Sequence, residues 1–475
     1  MKPIYQDVID AIPDYQQFLT PDELDASSRA LAAEFPDTVE LSEIGHTREG
    51  RALLCLKIGE GPAAVVLGVP HPNEPIGTML IEHLSRRLAS DAELRAELGY
   101  TWYFVKAWDA DSLAMNTWIK GPYTITNYTQ HFYRPASYEQ VEWTFPIDYK
   151  TLHFHEPLPE TQAVMGLIER VQPRFIYSLH NSGFGGVYWY QTHKTPEIWE
   201  EMRSIVEAQD LPLHLGEPEA PYTEEWAPAL YRLLTVTDKY DYQERYGSGD
   251  PAATIPAGTS SFDFATQRFG TVGFVNEMPY FFDERIRDLS PTERTRRDVM
   301  LQSLDEDKAS SEEIRAILAQ ARPYLDPANH FLRAVEEFTN RKADEATRAM
   351  VRENPVFEKP ATVAEAFDSL QLRDFFRART SSLLARACEQ ELARMDVCEE
   401  AGACEAGCAD AADSPEAAKR AALQESRERA LHMNEELCAK LEREIDYQVI
   451  PIKKLVTIQL ACGLLVADYV RHHEL

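Results

Sequence analysis

Two side chains that can bind a metal ion lie three residues apart, just after a strand-like run. The run AAVVLG (63–68) is apolar, and the stretch VPHPNEPIG that follows it places His71 and Glu74 among three prolines. Side chains at positions i and i+3 of a tight turn can converge on one point. An imidazole nitrogen and a carboxylate oxygen are both good zinc ligands. The stretch therefore predicts two ligands of a metal site.

A third candidate ligand, His180, ends a second strand-like run, RFIYSLH (174–180), and precedes the glycine-rich NSGFGG. It lies 180 − 74 = 106 residues beyond Glu74, so it would come from a different strand of the same sheet. A catalytic zinc has three protein ligands and one open position. Taken singly, a His-x-x-Glu or a histidine after a strand is more often ordinary polar structure. Both together, at strand ends, favour a metal site.

Glu277 ends a third strand-like run, TVGFVNE (271–277). A carboxylate beside a metal-activated water can act as general base and then protonate the leaving nitrogen. The alternative is a glutamate that caps a helix or forms an ion pair. The three strand ends together predict a site for metal-assisted hydrolysis.

These residues need a sheet to hold them, and the alternation of apolar runs predicts one. The strand-like runs are 52–58, 63–69, 101–108, 174–180, 186–192 and 271–277, and the helix-like runs between them are 77–90, 159–172 and 196–209. Strands alternating with helices are typical of a sheet covered on both faces, in which binding sites gather at the carboxyl ends of strands. We predict an α/β fold with a mixed, mostly parallel central sheet, helices on both faces and an α-helical C-terminal extension.

The sequence changes character at about residue 300, where Ala, Glu, Arg and Leu become frequent. We predict a catalytic domain over 1–300 and a helical acidic region over 301–475. That region could cover the cleft, bind a partner or form an oligomer.

Three segments of this region carry more specific predictions. Residues 422–446 have the composition of one long helix, and residues 398–417 are small and acidic, which is typical of a solvated loop. The apolar run 455–470 is shorter than the ~20 residues of a membrane-spanning helix. It also contains Gln459 and Asp468, so we predict a buried helix.

The overall charge excludes one class of partner. With 48 Lys and Arg against 78 Asp and Glu among 475 residues, the formal charge is −30, whereas nucleic-acid binding needs a surplus of cations. The start of the chain shows no basic segment followed by an apolar core, so no secretory signal is expected. Seven scattered cysteines fit reduced thiols. We therefore expect a cytoplasmic protein with no nucleic-acid or membrane partner.

Three stretches of the chain, HPNE, SLHNSGFGG and GTSSFDFATQRFGTVGFVNEMPYF, resemble the zinc metallocarboxypeptidases of the carboxypeptidase A-like superfamily, over about residues 40–290. The resemblance implies one zinc per chain, bound by His71, Glu74 and His180, with Glu277 as the general base. Two features depart from the family. DADSLAMN (109–116) replaces its Asn-Pro-Asp-Gly turn, and no tyrosine stands where the family has one on its substrate lid.

Substrate recognition rests on the same resemblance. Arg134, in HFYRPAS, resembles the arginine that holds the free carboxylate of a C-terminal residue, although Tyr133 stands where the family has asparagine; the alternative is an ordinary ion pair. Asn116 and Lys120 are weaker candidates for polarising the scissile carbonyl. Phe262 falls in the specificity pocket, which favours apolar or aromatic side chains.

Three hypotheses for the function remain open. The first is a metalloprotease, a metallocarboxypeptidase that cleaves an amide bond next to a free carboxylate in peptides or peptide-like substrates. The second is a deacylase of the aspartoacylase or succinylglutamate desuccinylase type, which HPNEPIG also resembles, acting on acyl amino acids. The third is a non-catalytic zinc-binding scaffold whose helical region binds a partner.

Overall fold

A computed structural model of the chain describes residues 1–342, 344–400 and 414–475, and the side chains of all of these except 398–400. Its strands, in chain order, are β1 (Val39–His46), β2 (Ala52–Ile58), β3 (Ala63–Leu67), β4 (Thr101–Val105), β5 (Ile147–Tyr149), β6 (Leu152–Phe154), β7 (Phe175–Ser178), β8 (Gly183–Phe184), β9 (Tyr188–Gln191), β10 (Glu225–Ala227), β11 (Leu230–Arg232), β12 (Val272–Glu277), β13 (Pro279–Phe282), β14 (Pro291–Thr295), β15 (Pro360–Thr362) and β16 (Gln448–Val449).

The α-helices are α1 (Pro3–Asp10), α2 (Pro21–Glu34), α3 (Ile76–Ser90), α4 (Ala92–Leu98), α5 (Ala110–Leu113), α6 (Ile125–His131), α7 (Pro159–Val171), α8 (Pro196–Glu207), α9 (Val236–Tyr246), α10 (Ser261–Phe269), α11 (Arg296–Ala321), α12 (His330–Phe338), α13 (Asp344–Glu353), α14 (Val363–Phe367), α15 (Arg373–Glu400), α16 (Pro415–Glu444) and α17 (Ile452–His472). Short 3₁₀ turns lie at Thr117–Lys120, Ser137–Glu139, Val141–Trp143, Pro251–Thr254, Glu284–Arg287, Arg322–Tyr324 and Pro355–Glu358, and one π-turn lies at Asp368–Leu372.

Nine strands form one mixed sheet in the order β1-β2-β4-β3-β7-β12-β9-β11-β10. Its central strands β4, β3, β7 and β12 are parallel, whereas β1 and β2 on one side and β9 on the other join antiparallel. The prediction of an α/β fold with a mixed sheet is confirmed. Register aligns the carboxyl ends of the central strands, because Ser178 of β7 pairs with both Leu67 of β3 and Val275 of β12.

Both faces of the sheet are buried, which explains why its central strands are apolar throughout. On one face, Val65 and Ile176 pack with Val164 and Leu167 of α7 and with Phe264 of α10. On the other face, neighbouring strand residues pack against α3 and α17. Alternate side chains of each strand therefore belong to two separate cores.

The apolar run near the C-terminus forms α17, a buried helix as predicted. The Tyr177 hydroxyl donates to the Gln459 carbonyl at 2.7 Å, and the Tyr100 hydroxyl donates to the Ala467 carbonyl at 2.9 Å. Gly463 lies against the Tyr177 ring so closely that a Cβ would overlap it. Among the described helices, none combines the length and apolar character needed to cross a membrane.

The helices α11 to α16 pack beside the sheet domain. α15 and α16 lie along each other, and both contact α6. The long helix predicted at 422–446 is part of α16, which begins earlier, at Pro415, and ends two residues sooner, at Glu444. The loop predicted at 398–417 falls largely outside the described residues, but helix replaces it at 398–400 and from Pro415 onward. The division into 1–300 and 301–475 stays a prediction, since α17 packs on the sheet itself.

Candidate metal and active site

The turn after β3 holds His71 and Glu74 in a constrained backbone. Val69 adopts φ 56°, a left-handed conformation that is uncommon for a β-branched residue. The Tyr280 hydroxyl donates to the Asn73 carbonyl and to Asn181 Oδ1, each at 2.9 Å. The turn after β3 is thus tied to the loop after β7, and the strand-end residues of both are held at one edge of the sheet.

Ligand atoms of His71, Glu74 and His180 lie within 4.8 Å of one another. His180 Nδ1 is 3.2 Å from Glu74 Oε2, while its Nε2 is 3.1 Å from the Ser178 hydroxyl, which orients the ring. His71 Nδ1 is buried and has no hydrogen-bond partner among the described residues. A buried imidazole nitrogen that lacks a partner, beside a carboxylate and a second imidazole, fits a divalent cation such as zinc.

The protonation state of His71 also favours binding of a metal ion. Burial lowers the pKa of His71 well below its usual value, and the charges of Arg134 and His180 act in the same direction. A neutral imidazole has a lone pair available for a metal, which a protonated one lacks.

Glu277, the last residue of β12, approaches this cluster from a neighbouring strand. Its Oε1 lies 3.7 Å from His180 Nδ1, and its side chain is 9% exposed. Burial raises the pKa of Glu277 well above its usual value, and the negative charges of Glu219 and Glu74 raise it further. A raised pKa lets a carboxylate hold a proton that it has accepted and return it in a later step.

Arg134 lies at the edge of the cluster. Its Nη1 donates to Glu74 Oε1 at 3.0 Å, and its Nε donates to Gln140 Oε1 at 3.1 Å. The guanidinium carbon lies 5.2 Å from the centre of the Trp143 ring. The ion pair anticipated as the alternative for Arg134 is thus formed with the candidate ligand Glu74, and the guanidinium still lines the cavity.

The remaining predicted residues divide into two groups. Phe262 lines the cavity, with its ring centre 6.4 Å from that of His180. Asn116 and Lys120 do not line it. The buried Asn116 amide holds the backbone of Tyr133 through two hydrogen bonds, and the Lys120 ammonium binds Glu23 at 2.7 Å. Local hydrogen bonds occupy both groups, so substrate binding by either has no support in this structure.

Sequence reasoning missed a buried carboxylate, Glu142, beside the cluster. Its Oε1 accepts hydrogen bonds from the Ser261 amide at 2.9 Å and from the Ser261 hydroxyl at 2.6 Å. Burial raises the pKa of Glu142 to about 7, while the nearby His180 opposes this shift. Glu142 lies in a short 3₁₀ turn within VEWTF, where neither strand periodicity nor spacing from the candidate ligands marks it.

The site opens into a cavity of about 690 Å³ that the C-terminal helices help to line. The proposed metal ligands, Glu277 and Phe262 form one side. Residues of α11, α13 and α15 form another, among them Ser303, Asp344, Arg373 and Arg379. Of the roles considered for the C-terminal region, covering the cleft agrees with this arrangement.

Comparisons with known proteins show which family and which solved structures the chain resembles. The family model described as zinc carboxypeptidase matches residues 24–292. No curated protein matches the chain. Among solved structures, a metallo-carboxypeptidase from Burkholderia cenocepacia is 16% identical, with a TM-score of 0.33, over 56% of this chain and 60% of that one. This chain therefore spans less than two thirds of that protein.

Two further solved structures are similar at this level. Carboxypeptidase A from Helicoverpa armigera is 14% identical, with a TM-score of 0.36, over 58% of this chain and 71% of that one. Bovine thrombin-activatable fibrinolysis inhibitor, in a complex with tick carboxypeptidase inhibitor, is 13% identical, with a TM-score of 0.34, over 55% of this chain and 86% of that one.

Proposed function

Because the chain belongs to the zinc carboxypeptidase family, we propose that it is a zinc-dependent hydrolase that removes the C-terminal residue from peptides or peptide-like substrates. One observation carries the proposal. Three ligand atoms from two strand ends, on His71, Glu74 and His180, lie within 4.8 Å of one another, and Glu277 lies beside them. Such a set holds one ion and leaves a carboxylate free for proton transfer.

His71, Glu74 and His180 would hold the metal, which supplies a Lewis acid that polarises a carbonyl and lowers the pKa of a water molecule. Glu277 Oε1 takes a proton from the attacking water and later delivers it to the leaving nitrogen. Its buried position, with a pKa raised by burial and by Glu219, lets it retain that proton between the two steps.

Arg134 and Phe262 would orient the substrate. With Nη1 on Glu74 and Nε on Gln140, Arg134 keeps Nη2 available for a substrate oxygen next to the metal ligands. Phe262 offers an apolar wall, which favours an apolar or aromatic side chain in the residue that is removed. Both roles follow from position in the cavity and from the chemistry of the two groups.

We also propose a reducing location, the cytoplasm. The four cysteines whose side chains are described, Cys55, Cys388, Cys438 and Cys462, are free and buried. Buried free thiols are ordinary in a reducing compartment.

The proposed activity is tested by the products that zinc-loaded protein releases from short peptides and, separately, from N-acyl amino acids. We expect free C-terminal amino acids from peptides, and a loss of about 10²–10⁴-fold in kcat for Glu277→Gln with the zinc retained. Release from acyl amino acids alone would replace the proposal with the deacylase hypothesis. Bound zinc with every amide left intact would replace it with the scaffold hypothesis.

A further inference from the structure

An arginine of the C-terminal helices faces the same cavity as the proposed metal site. Arg379 lies on α15, and both Arg379 and Arg134 line the large cavity and a second one of about 300 Å³. The guanidinium carbon of Arg379 lies 4.3 Å from the ring centre of Phe376 and 4.5 Å from that of Phe132. Aromatic rings restrict a planar guanidinium, so the N–H groups of Arg379 have a defined direction.

Arg379 differs from its neighbours because no carboxylate forms an ion pair with it in the described part of the chain. Arg134 pairs with Glu74 at 3.0 Å. Arg373 pairs with Asp307 at 2.6 Å. The Nε of Arg379, by contrast, is buried and has no acceptor among the described residues. The large cavity therefore holds a cation for which the described residues provide no counter-ion.

Electrostatics around Arg379 support this description. Burial lowers the pKa of Arg379 to about 10, and the positive charges of Arg134 and Arg373 act in the same direction, against the nearby Tyr128. The side chain remains charged at neutral pH. A desolvated charge without a counter-ion costs free energy, and an anionic ligand between Arg134 and Arg379 would offset that cost.

Ring contacts connect Arg379 with the turn that holds two of the proposed metal ligands. The guanidinium carbon of Arg379 lies 5.2 Å from the centre of the Phe375 ring, which stacks on the Tyr128 ring with centres 5.2 Å apart. The Tyr128 ring centre lies 5.7 Å from that of Tyr280, whose hydroxyl donates to the Asn73 carbonyl in that turn. Glu74 takes up one N–H group of Arg134, whereas Arg379 pairs with no described carboxylate, so both guanidinium groups have N–H groups left for an anion in the cavity that they line.

We propose that Arg379, together with Arg134, binds a carboxylate of the substrate, so that the C-terminal helices supply part of the specificity site. A guanidinium suits a carboxylate because it can donate two parallel hydrogen bonds. The inference rests on the proposed function, since it assigns a residue to the substrate of that reaction. The carboxylate belongs either to the end of the peptide chain or to an acidic side chain there.

The test measures binding without turnover, in full-length zinc-loaded Glu277→Gln protein, by titration calorimetry. One probe pair is N-acetyl-Gly-Phe and its C-terminal amide, which differ only in the terminal carboxylate. The other pair is the C-terminal amides of N-acetyl-Gly-Glu and N-acetyl-Gly-Gln, which differ only in a side-chain carboxylate. Each probe is titrated into the parent protein and into Arg379→Gln, Arg379→Lys and Arg394→Gln versions of it.

We expect the parent protein to bind the carboxylate member of one pair at least about 10-fold tighter than its neutral partner, as one charge-assisted hydrogen bond provides. Arg379→Gln should reduce that preference to the part that Arg134 provides while binding of the neutral partner stays unchanged, and Arg379→Lys should retain more of it than Arg379→Gln does. Arg394→Gln should retain all of it, because Arg394 lies on the same helix but is exposed and pairs with Asp326.

A full preference in Arg379→Gln, or no preference in the parent protein for either pair, would overturn the proposal. So would an equal loss of binding for both members of a pair in Arg379→Gln at an unchanged melting temperature. If Arg379→Gln fails to fold, Arg379→Lys replaces it in the test. A smaller preference than in the parent protein then supports the proposal, and a full preference overturns it. Absence of peptide hydrolysis by the wild type would reject the proposed function alone, since the calorimetric preference does not depend on turnover.

Discussion

At the scale of single residues, the proposed general base lies among other negative charges. Glu219 accepts hydrogen bonds from the hydroxyls of Tyr188 at 2.5 Å and Tyr190 at 3.1 Å, and its charge helps to raise the pKa of Glu277. A general base must be deprotonated to act, so a raised pKa moves the acidic limb of the pH–rate profile to higher pH.

We predict that Glu219→Gln moves the acidic limb of kcat/KM to lower pH, by roughly half a unit or more. The substitution removes one negative charge near Glu277 and thereby lowers its pKa. The amide oxygen of glutamine can accept from one of the two tyrosine hydroxyls, and its NH2 group can donate to the oxygen of the other. The pH dependence of kcat/KM from pH 4 to 9 measures the shift. Tyr190→Phe, which removes only one of these hydrogen bonds, serves as the control. An unchanged or raised limb would show that Glu219 does not influence the base.

Single residues also show where sequence reasoning ends. That His71, His180 and Glu277 lie close together could be predicted because each stands at or just after the end of an apolar strand, and register brings the ends of parallel strands together. The pattern of apolar runs in the sequence does not reveal that the Asn116 amide holds the backbone of Tyr133. Nor does it reveal that Arg379 reaches the cavity, because that contact depends on how helices far along the chain pack against the sheet.

At the scale of elements, the strands and helices agree with the sequence predictions to within a few residues. Continuous apolar runs indicate strands that are buried on both faces, and apolar positions three and four residues apart indicate one buried helix face. The antiparallel joining of β2 to β4 and of β9 to β12 could not be predicted. Local sequence does not encode strand direction, which depends on the route of the connecting segments. The position of α17 against β7 and β12 likewise depends on contacts between residues that are far apart in the sequence.

We predict that Gly463→Ala destabilises the protein by about 1–3 kcal/mol, the usual effect of overpacking. A Cβ there would overlap the Tyr177 ring on the sheet. Gly166→Ala on α7 is the matched control, because a Cβ at Gly166 meets no atom within 4 Å. That change should leave stability equal or raise it by up to about 1 kcal/mol, as alanine favours helix. Urea unfolding measures both, and equal effects would contradict the packing of α17 described above.

At the scale of the whole molecule, the sheet domain and the C-terminal helices share one cavity and one core. The larger hydrophobic core joins residues of α3 with residues of α15, α16 and α17. If the proposed function is correct, this cavity would limit the size of a substrate that can reach the proposed metal ligands. We therefore expect short or flexible peptides to be better substrates than folded proteins.

We predict that a chain ending at residue 300 does not fold cooperatively. Truncation removes α17 and so exposes the face of the sheet that α17 covers. It also removes the carbonyl groups of α17 that accept hydrogen bonds from the hydroxyls of Tyr100 and Tyr177. Scanning calorimetry should show a cooperative transition for the full chain and for one ending at His472, but none for the shorter one. A cooperative transition in the shorter chain would instead support an independent domain over 1–300.

The zinc content of purified full-length protein, measured beside that of His71→Ala and His180→Ala, tests the central claim most directly. We predict about one zinc per chain in the wild type and at least a 10–100-fold loss of zinc affinity in each variant. Even substitution of residues that only hydrogen-bond to metal ligands typically lowers metal affinity by about that much. A wild type without zinc, or variants that bind it as tightly, would contradict a metal site built on these strand ends.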